Sequence, residues 1–290
     1  MMGQRRLCVF NPEHDLCLAN GNRHFVPPAS ALAFARTGAS LMLRIYPDAI
    51  AVDPEGVASI EVEDWSKIEI VPWGWDACLK QRLLKAGVSQ DRLLSDEDIE
   101  VVRKLQHRGT IIPIQEGAVL ASSTDEVVGF LAQNGQIVMK APWSGAGRGL
   151  RWVSERLSEH DRQWIQKIAQ EQGGVVVEPR RVVQMDFALE YFVRQGRLVY
   201  RNLSLFENQS GVYRRNLPLK ENEIAVELDR TLDPLLWKRL RGRVEEWIKN
   251  EVVPYYEGPL GVDFYADKTG RPFLSEINFR HTMGMVYAQI

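Results

Sequence analysis

Two carboxylates and a carboxamide lie close together near the C-terminal end of the sequence, in two apolar segments separated by a turn at residues 267–270. Asp263 lies in GVDFYA, and Glu276 and Asn278 lie in PFLSEINF, which together predict a β-hairpin. Side chains alternate along a strand, so Glu276 and Asn278 share a face. If the loop holds an even number of residues, Asp263 shares that face, because the register then pairs positions whose numbers have an odd sum.

Three oxygen donors on one face of a hairpin form the kind of site that Mg²⁺ prefers, with room for water and phosphate oxygens. The alternative is an exposed sheet face on which the two carboxylates pair with Lys or Arg. The neighbouring residues are apolar, however, and two like charges that converge without a cation would repel each other. We therefore favour the metal interpretation of Asp263, Glu276 and Asn278.

A glycine-rich loop follows a short apolar segment that ends at Lys140. Gly145, Gly147 and Gly149 would let the backbone approach a polyphosphate, and the Lys140 ammonium would supply positive charge. The loop has neither the helix-opening GxGxxG of a Rossmann fold nor the GxxxxGK[ST] of a P-loop. An ordinary glycine-rich turn explains the loop alone equally well, and Arg148 would contact either phosphate or solvent.

The elements that would position these residues differ along the chain. In the first hundred residues, the predicted strands LCVF, LMLRIY, IAVD and IEIVPW alternate with helical patterns, which predicts a small α/β layer. Further along, FALEYFV and RLVYRNLSLF predict a hairpin, and a long amphipathic helix at residues 233–250 precedes the carboxylate hairpin. The later elements do not alternate as βαβ units, which favours antiparallel sheets beside helices. We divide the chain into residues 1–95, 96–173 and 174–290.

Composition favours a small-molecule partner. The 290 residues carry a net charge of −2 without a long block of one sign, which gives no reason to expect binding to nucleic acid or to a membrane surface. No apolar run approaches the roughly 20 residues of a membrane span, and the N-terminal segment becomes charged too soon for a signal peptide. Cys8, Cys17 and Cys78 are odd in number and lack CxxC spacing, which indicates reduced thiols. We therefore expect a cytoplasmic protein.

Three segments together resemble the ATP-grasp superfamily: K-x-P-x-x-G-x-G-x-G from Lys140 to Gly149, the strand VVVEP, and G-x-D followed by E-x-N in the final hairpin. The resemblance covers roughly residues 96 to 290. It implies a small α/β N-terminal domain followed by a two-subdomain ATP-grasp fold that binds ATP and Mg²⁺. Members of the superfamily normally continue well past the last motif, so an absent closing helix is one expectation for a sequence that stops at Ile290.

The resemblance also implies roles for individual residues. Lys140 and the loop from Gly145 to Gly149 would bind phosphates. Glu178 would meet the adenine amino group, although it could instead simply end a strand, and Asp186 would hold the ribose. Arg280 would lie near the transferred phosphoryl group, with Lys140 as its catalytic partner.

Two further contacts follow from the resemblance. An earlier basic residue that reaches ATP would be Arg103, Lys104 or Arg108, and the sequence does not choose among them. The segment after the first strand lies where such domains contact substrate. Its candidate residues are Asn11, Glu13, His14 and Asp15. A polar loop with helix-capping residues is the alternative interpretation of this segment.

The predicted function is ATP-dependent ligation of a carboxylate and an amine through an acyl phosphate, with small-molecule or peptide substrates. One alternative is a phosphotransferase that passes phosphate to a stable acceptor. Another is a non-catalytic ATP-binding protein that retains the fold.

Overall fold

The computed structural model of the chain describes residues 5–145, 149–209 and 211–288. The strands are β1 (Arg5–Val9), β2 (Ile50–Val52), β3 (Ile68–Pro72), β4 (Val119–Ala121), β5 (Ile137–Lys140), β6 (Leu150–Val153), β7 (Val175–Pro179), β8 (Val183–Arg194), β9 (Arg197–Gln209), β10 (Val212–Asn216), β11 (Gly258–Asp267) and β12 (Pro272–Asn278). The α-helices are α1 (His14–Asn20), α2 (Ala29–Gly38), α3 (Ala77–Lys85), α4 (Asp96–Gln106), α5 (Thr124–Asn134), α6 (Glu159–Gln172), α7 (Glu221–Thr231), α8 (Pro234–Trp247) and α9 (Met283–Tyr287).

The N-terminal part contains a parallel sheet in the order β2-β1-β3. One predicted strand is wrong, because most of LMLRIY lies in a 3₁₀ helix at Ala39–Arg44. Met42 and Ile45 are buried there, and their spacing of three residues fits one side of a 3₁₀ turn. A run that is apolar throughout does not by itself distinguish this arrangement from a strand.

The middle part contains an antiparallel sheet in the order β4-β7-β5-β6, covered by α5 and α6. Both helices begin at a serine whose side chain accepts a backbone N–H, Ser123 for α5 and Ser158 for α6. A division between residues 173 and 174 would separate β7 from the sheet that it completes with β4 and β5. We therefore propose that this division lies after Pro179.

The C-terminal part contains a sheet in the order β10-β9-β8-β11-β12, antiparallel throughout. Its two faces differ because side chains alternate along each strand. On β8, Phe187 and Leu189 face the core that α8 covers, whereas Asp186 and Glu190 face a cavity. Helix α8 begins at Pro234, after the capping carboxylate of Asp233.

A β-bulge sets the register of the carboxylate hairpin. Ala266 pairs with Pro272, which leaves five residues between them, an odd number. Phe264 pairs with Leu274 but Asp263 pairs with Glu276, so Ser275 is the extra residue of a bulge. The face that the sequence predicts for Asp263 and Glu276 is therefore confirmed, although through the bulge and not through an even loop.

Two features of composition have structural counterparts. Cys8, Cys17 and Cys78 are buried free thiols, as the sequence predicts. In the described segments, every helix is too short or too polar to cross a bilayer.

Candidate active site

A cavity of about 400 Å³ lies where the polar face of the C-terminal sheet meets the end of β5 and the segment after β1. It brings together residues that the sequence analysis selected from widely separated positions. Those that line it are Asp15, Lys140, Gly145, Asp186, Asp263, Glu276, Asn278 and Arg280. Gly149 lies beside it, where its carbonyl accepts the backbone N–H of Ala141 at 2.8 Å. Gly147 and Arg148 lie outside the described residues.

The carboxylate hairpin contributes three oxygen-bearing side chains to the cavity, those of Asp263, Glu276 and Asn278. Asn278 Nδ2 donates to Asp263 Oδ2 at 3.1 Å, and Asn278 Oδ1 is buried without a hydrogen-bond partner in the described chain. Burial and the nearby carboxylates of Glu276 and Glu190 raise the pKa of Asp263 well above its usual value. The three side chains offer oxygen ligands, two of them are carboxylates, and the Asn278 oxygen has no partner among the described residues, which fits a hard divalent cation.

Arg108 connects the hairpin to the loop that follows β5. Its Nε donates to Glu276 Oε2 at 2.7 Å, and Nη2 donates to the same oxygen. Its Nη1 donates to the Ala141 carbonyl at 2.8 Å and to Ser144 Oγ at 2.7 Å. Burial opposes ionisation of Glu276, but the Arg108 guanidinium lowers the pKa of Glu276 below its usual value.

Of the three basic residues that the sequence offered near this position, Arg108 is the one that lines the cavity. Arg103 instead lies over the ring of Trp143, with its guanidinium carbon 4.3 Å from the ring centroid. Lys104 is exposed to solvent.

Lys140 and Glu178 form a buried ion pair on β5 and β7. Lys140 Nζ lies 2.6 Å from Glu178 Oε1, and both side chains are less than 10% exposed, at 8% and 7%. Gln115 Nε2 donates to the other carboxylate oxygen of Glu178 at 2.9 Å. Glu178 is not among the residues that line the cavity, so its contact with adenine stays a prediction.

Asp186 and Arg280 lie on different parts of the cavity wall. Burial raises the pKa of Asp186 to about 6. Arg280 Nη2 donates to Asp15 Oδ2 at 3.2 Å, which joins the C-terminal hairpin to the N-terminal domain. Although burial opposes it, Arg280 holds the pKa of Asp15 well below its usual range. The buried His281 beside Arg280 bonds to backbone carbonyls and has a pKa lowered to about 4 by burial.

The other N-terminal candidates do not line the cavity. Asn11 Nδ2 donates to the Gly74 carbonyl at 2.8 Å and to Asp76 at 2.9 Å, which fixes the segments that follow β1 and β3. His14 Nε2 lies 3.0 Å from the Trp75 carbonyl. Glu13 is buried beside them, and burial raises its pKa to about 7. Only Asp15 of the four therefore faces the cavity.

Glu190 is a cavity residue that the sequence analysis did not select. It is 1% exposed, Ser204 Oγ donates to its Oε1 at 3.4 Å, and burial raises its pKa to about 7. A signal was present, because Asp186 directly precedes FALEYFV and Glu190 lies four residues further along the same strand, so the two side chains share a face.

Solved structures similar to this chain span nearly its whole length. N5-carboxyaminoimidazole synthetase from Staphylococcus aureus, complexed with ADP, is 12% identical with a TM-score of 0.55, over 98% of this chain and 73% of that one. D-alanyl-alanine synthetase A from Vibrio cholerae is 14% identical with a TM-score of 0.55, over 100% and 92%. The biotin carboxylase–β,γ-ATP complex from Campylobacter jejuni is 12% identical with a TM-score of 0.57, over 97% and 67%.

No protein-family model matches the sequence, and no curated protein matches it. The likeness to solved structures is thus one of fold. It confirms the fold class that the sequence predicts.

Proposed function

Because the chain has the ATP-grasp fold, we propose that it uses ATP and Mg²⁺ to phosphorylate a carboxylate, which an amine then converts to an amide. The observation that carries this proposal is the shared cavity of an oxygen-rich hairpin and two basic side chains. Asp263, Glu276 and Asn278 line the same cavity as Lys140 and Arg108. The names of the similar proteins, two synthetases and a carboxylase, agree with a reaction of this class.

Each residue has a role that follows from its charge. Asp263, Glu276 and Asn278 would hold Mg²⁺, which when bound neutralises charge on the phosphates. Lys140 and Arg108 carry positive charge that phosphate oxygens require, and Gly145 lines the same cavity. Asp186 would accept a ribose hydroxyl.

The chemistry proceeds in two displacements. A substrate carboxylate oxygen attacks the γ-phosphorus, and the bond between that phosphorus and the oxygen of the leaving ADP breaks. The amine nitrogen then attacks the acyl carbon, phosphate leaves with the bonding electrons, and the nitrogen loses a proton. Arg280 supplies positive charge beside the reacting groups.

The test is an ADP-release screen across pools of carboxylates and amines, with mass spectrometry of the products. We expect ADP formation only when both pools are present, and an amide as the product. Asp263→Ala and Glu276→Ala should abolish it, whereas Glu251→Gln, at an exposed position after α8, should not. Turnover that survives both substitutions would overturn the metal assignment.

Two other outcomes would overturn the ligase proposal. ADP formation with a stable phosphorylated product and no need for an amine would identify a phosphotransferase. Binding of an ATP analogue without ADP formation from any pool would identify a non-catalytic nucleotide-binding protein.

A further inference from the structure

The buried carboxylate of Glu190 borders the cavity. Its Oε2 is buried and has no hydrogen-bond partner within the described ranges, and the side chain is 1% exposed. The proposed nucleotide and metal contacts do not use it. A buried carboxylate oxygen without a partner is costly, and the cost is removed either by protonation or by a cation that binds there.

Two glycines leave space around this carboxylate. A Cβ on Gly284 would lie 1.9 Å from Glu190 Oε1, and a Cβ on Gly261 would lie 2.7 Å from Oε2. Any larger residue at either position would displace the carboxylate. Ser204 donates a hydrogen bond to the other oxygen, Oε1, which holds the carboxylate in place.

An apolar wall lies on the same cavity. Phe10 contacts Trp73 and Phe34 edge to face, with ring centroids 4.9 Å and 5.5 Å away, and all three line the cavity. Met283 packs against the core cluster that contains Phe10 and Trp73. The next residue, Gly284, lies against the Glu190 carboxylate. Phe34 is 49% exposed, so the wall leads from the interior towards solvent.

The surroundings favour an organic cation over a metal ion. A magnesium ion keeps several waters, and an aromatic wall offers them few hydrogen-bond partners. The positive charges of Arg280 and Arg201 act on Glu190, but among the described residues neither guanidinium donates a hydrogen bond to it, and Arg280 pairs with Asp15. An ammonium group with a hydrophobic substituent matches both the Glu190 carboxylate and the wall.

We propose that Glu190 binds the ammonium group of one substrate, and that an apolar side chain of that substrate, up to aromatic size, contacts Phe10, Phe34 and Trp73. This inference rests on the proposed function, because it names the substrate class of the same cavity. It covers both the amine that is joined and an amino acid whose carboxylate is activated, since the two share the ammonium chemistry.

The test measures binding without turnover, by calorimetry with a non-hydrolysable ATP analogue and Mg²⁺ present. The probes are phenethylamine, L-phenylalanine and 3-phenylpropionate, which carry the ammonium alone, both charges and the carboxylate alone. We expect Glu190→Gln to weaken phenethylamine and L-phenylalanine about 10- to 100-fold, as loss of a charge-assisted hydrogen bond predicts. The affinity for 3-phenylpropionate should not fall. Preferential binding of L-phenylalanine over phenethylamine would point to an amino acid substrate.

Asp186→Asn is the matched variant, because Asp186 lies on the same strand and face as Glu190, four residues away. It should weaken the ATP analogue and leave phenethylamine within about twofold, the reverse of Glu190→Gln. Unchanged affinity of Glu190→Gln for the ATP analogue shows that this variant folds.

The inference and the proposed function fail in different ways. Absence of phenethylamine binding, equal weakening of all three probes by Glu190→Gln, or loss of a calorimetric Mg²⁺ site in Glu190→Gln without amine would overturn the inference. If ADP forms but Glu190→Gln leaves the KM for the amine unchanged, the inference fails and the ligase proposal stands. Glu190-dependent amine binding without ADP formation from any carboxylate would support the ammonium site and overturn the ligase proposal.

Discussion

Two buried clusters lie on neighbouring sheets, and their carboxylates Glu178 and Glu190 differ in whether both oxygens have a hydrogen-bond partner among the described residues. On the four-stranded sheet, one carboxylate oxygen of Glu178 forms an ion pair with Lys140, and the other accepts a hydrogen bond from Gln115. On the polar face of the five-stranded sheet, Glu190 Oε2 and Asn278 Oδ1 have no hydrogen-bond partner among the residues described.

The difference indicates what each cluster does. Paired charges satisfy one another, so the first cluster can form as the chain folds and can hold β5 and β7 in place. Oxygens without partners destabilise the empty protein and are compensated either by protonation or by a ligand that supplies a cation. The five-stranded sheet therefore carries the ligand-binding face, and the four-stranded sheet positions one lysine at its edge.

Removing one partner of the paired cluster should destabilise the protein most. Lys140→Met leaves the buried Glu178 carboxylate without its cation, and we expect the free energy of unfolding to fall by roughly 3 to 5 kcal/mol. Lys140→Met combined with Glu178→Leu should recover most of that loss, because no charge is left unpaired. Urea denaturation of the two single variants and the double variant gives the coupling energy. Additive effects of the two substitutions would contradict the pairing.

Removing a charge from the carboxylate hairpin, where Asp263 lies opposite Glu276, should have the opposite effect on stability. Asp263→Asn keeps the shape of the side chain but removes one of the neighbouring like charges, so the free energy of unfolding should stay the same or rise. ADP formation should fall about 1,000-fold or more, because a ligand of the proposed metal is weakened. Denaturation and ADP release on the same preparation measure both effects. Loss of stability with turnover intact would show that Asp263 has a structural role.

Many of the residues that line the cavity could be selected from local sequence patterns. Alternation along the hairpin was enough to place Glu276 and Asn278 on one face. Glycine-rich loops and capped amphipathic helices give signals that depend only on near neighbours in sequence. The α/β layer and the later antiparallel sheets followed from the order of such elements, whereas the fold class followed from the resemblance.

Tertiary pairing accounts for what the sequence did not predict. The extra residue of the bulge, Ser275, has no distinctive sequence signal, and an unbulged strand would have placed Glu276 on the core face beside Val262. The partner of Lys140 depends on β7 pairing with β5, which strand order along the chain does not reveal. The choice of Arg108 over Arg103 likewise depends on where the segment after α4 lies against the hairpin.

A third buried carboxylate, Glu13, sharpens the comparison because one of its oxygens has no hydrogen-bond partner in the described parts of the chain, yet Glu13 does not line the cavity. Burial raises its pKa from 4.5 to about 7. As the pH rises from 4.5 to 7, the unfolded chain releases this proton while the folded chain keeps it, so stability falls across that range. The full difference in the free energy of unfolding corresponds to at most about 3 kcal/mol.

Glu13→Gln should therefore match the parent in stability at about pH 4.5 and exceed it at about pH 8, as urea denaturation at both pH values would measure. Other titrating groups are common to both proteins and cancel in the difference. A stability difference that does not change with pH would show that Glu13 is already neutralised by a neighbour, and that an unpaired oxygen alone does not distinguish the ligand-binding face.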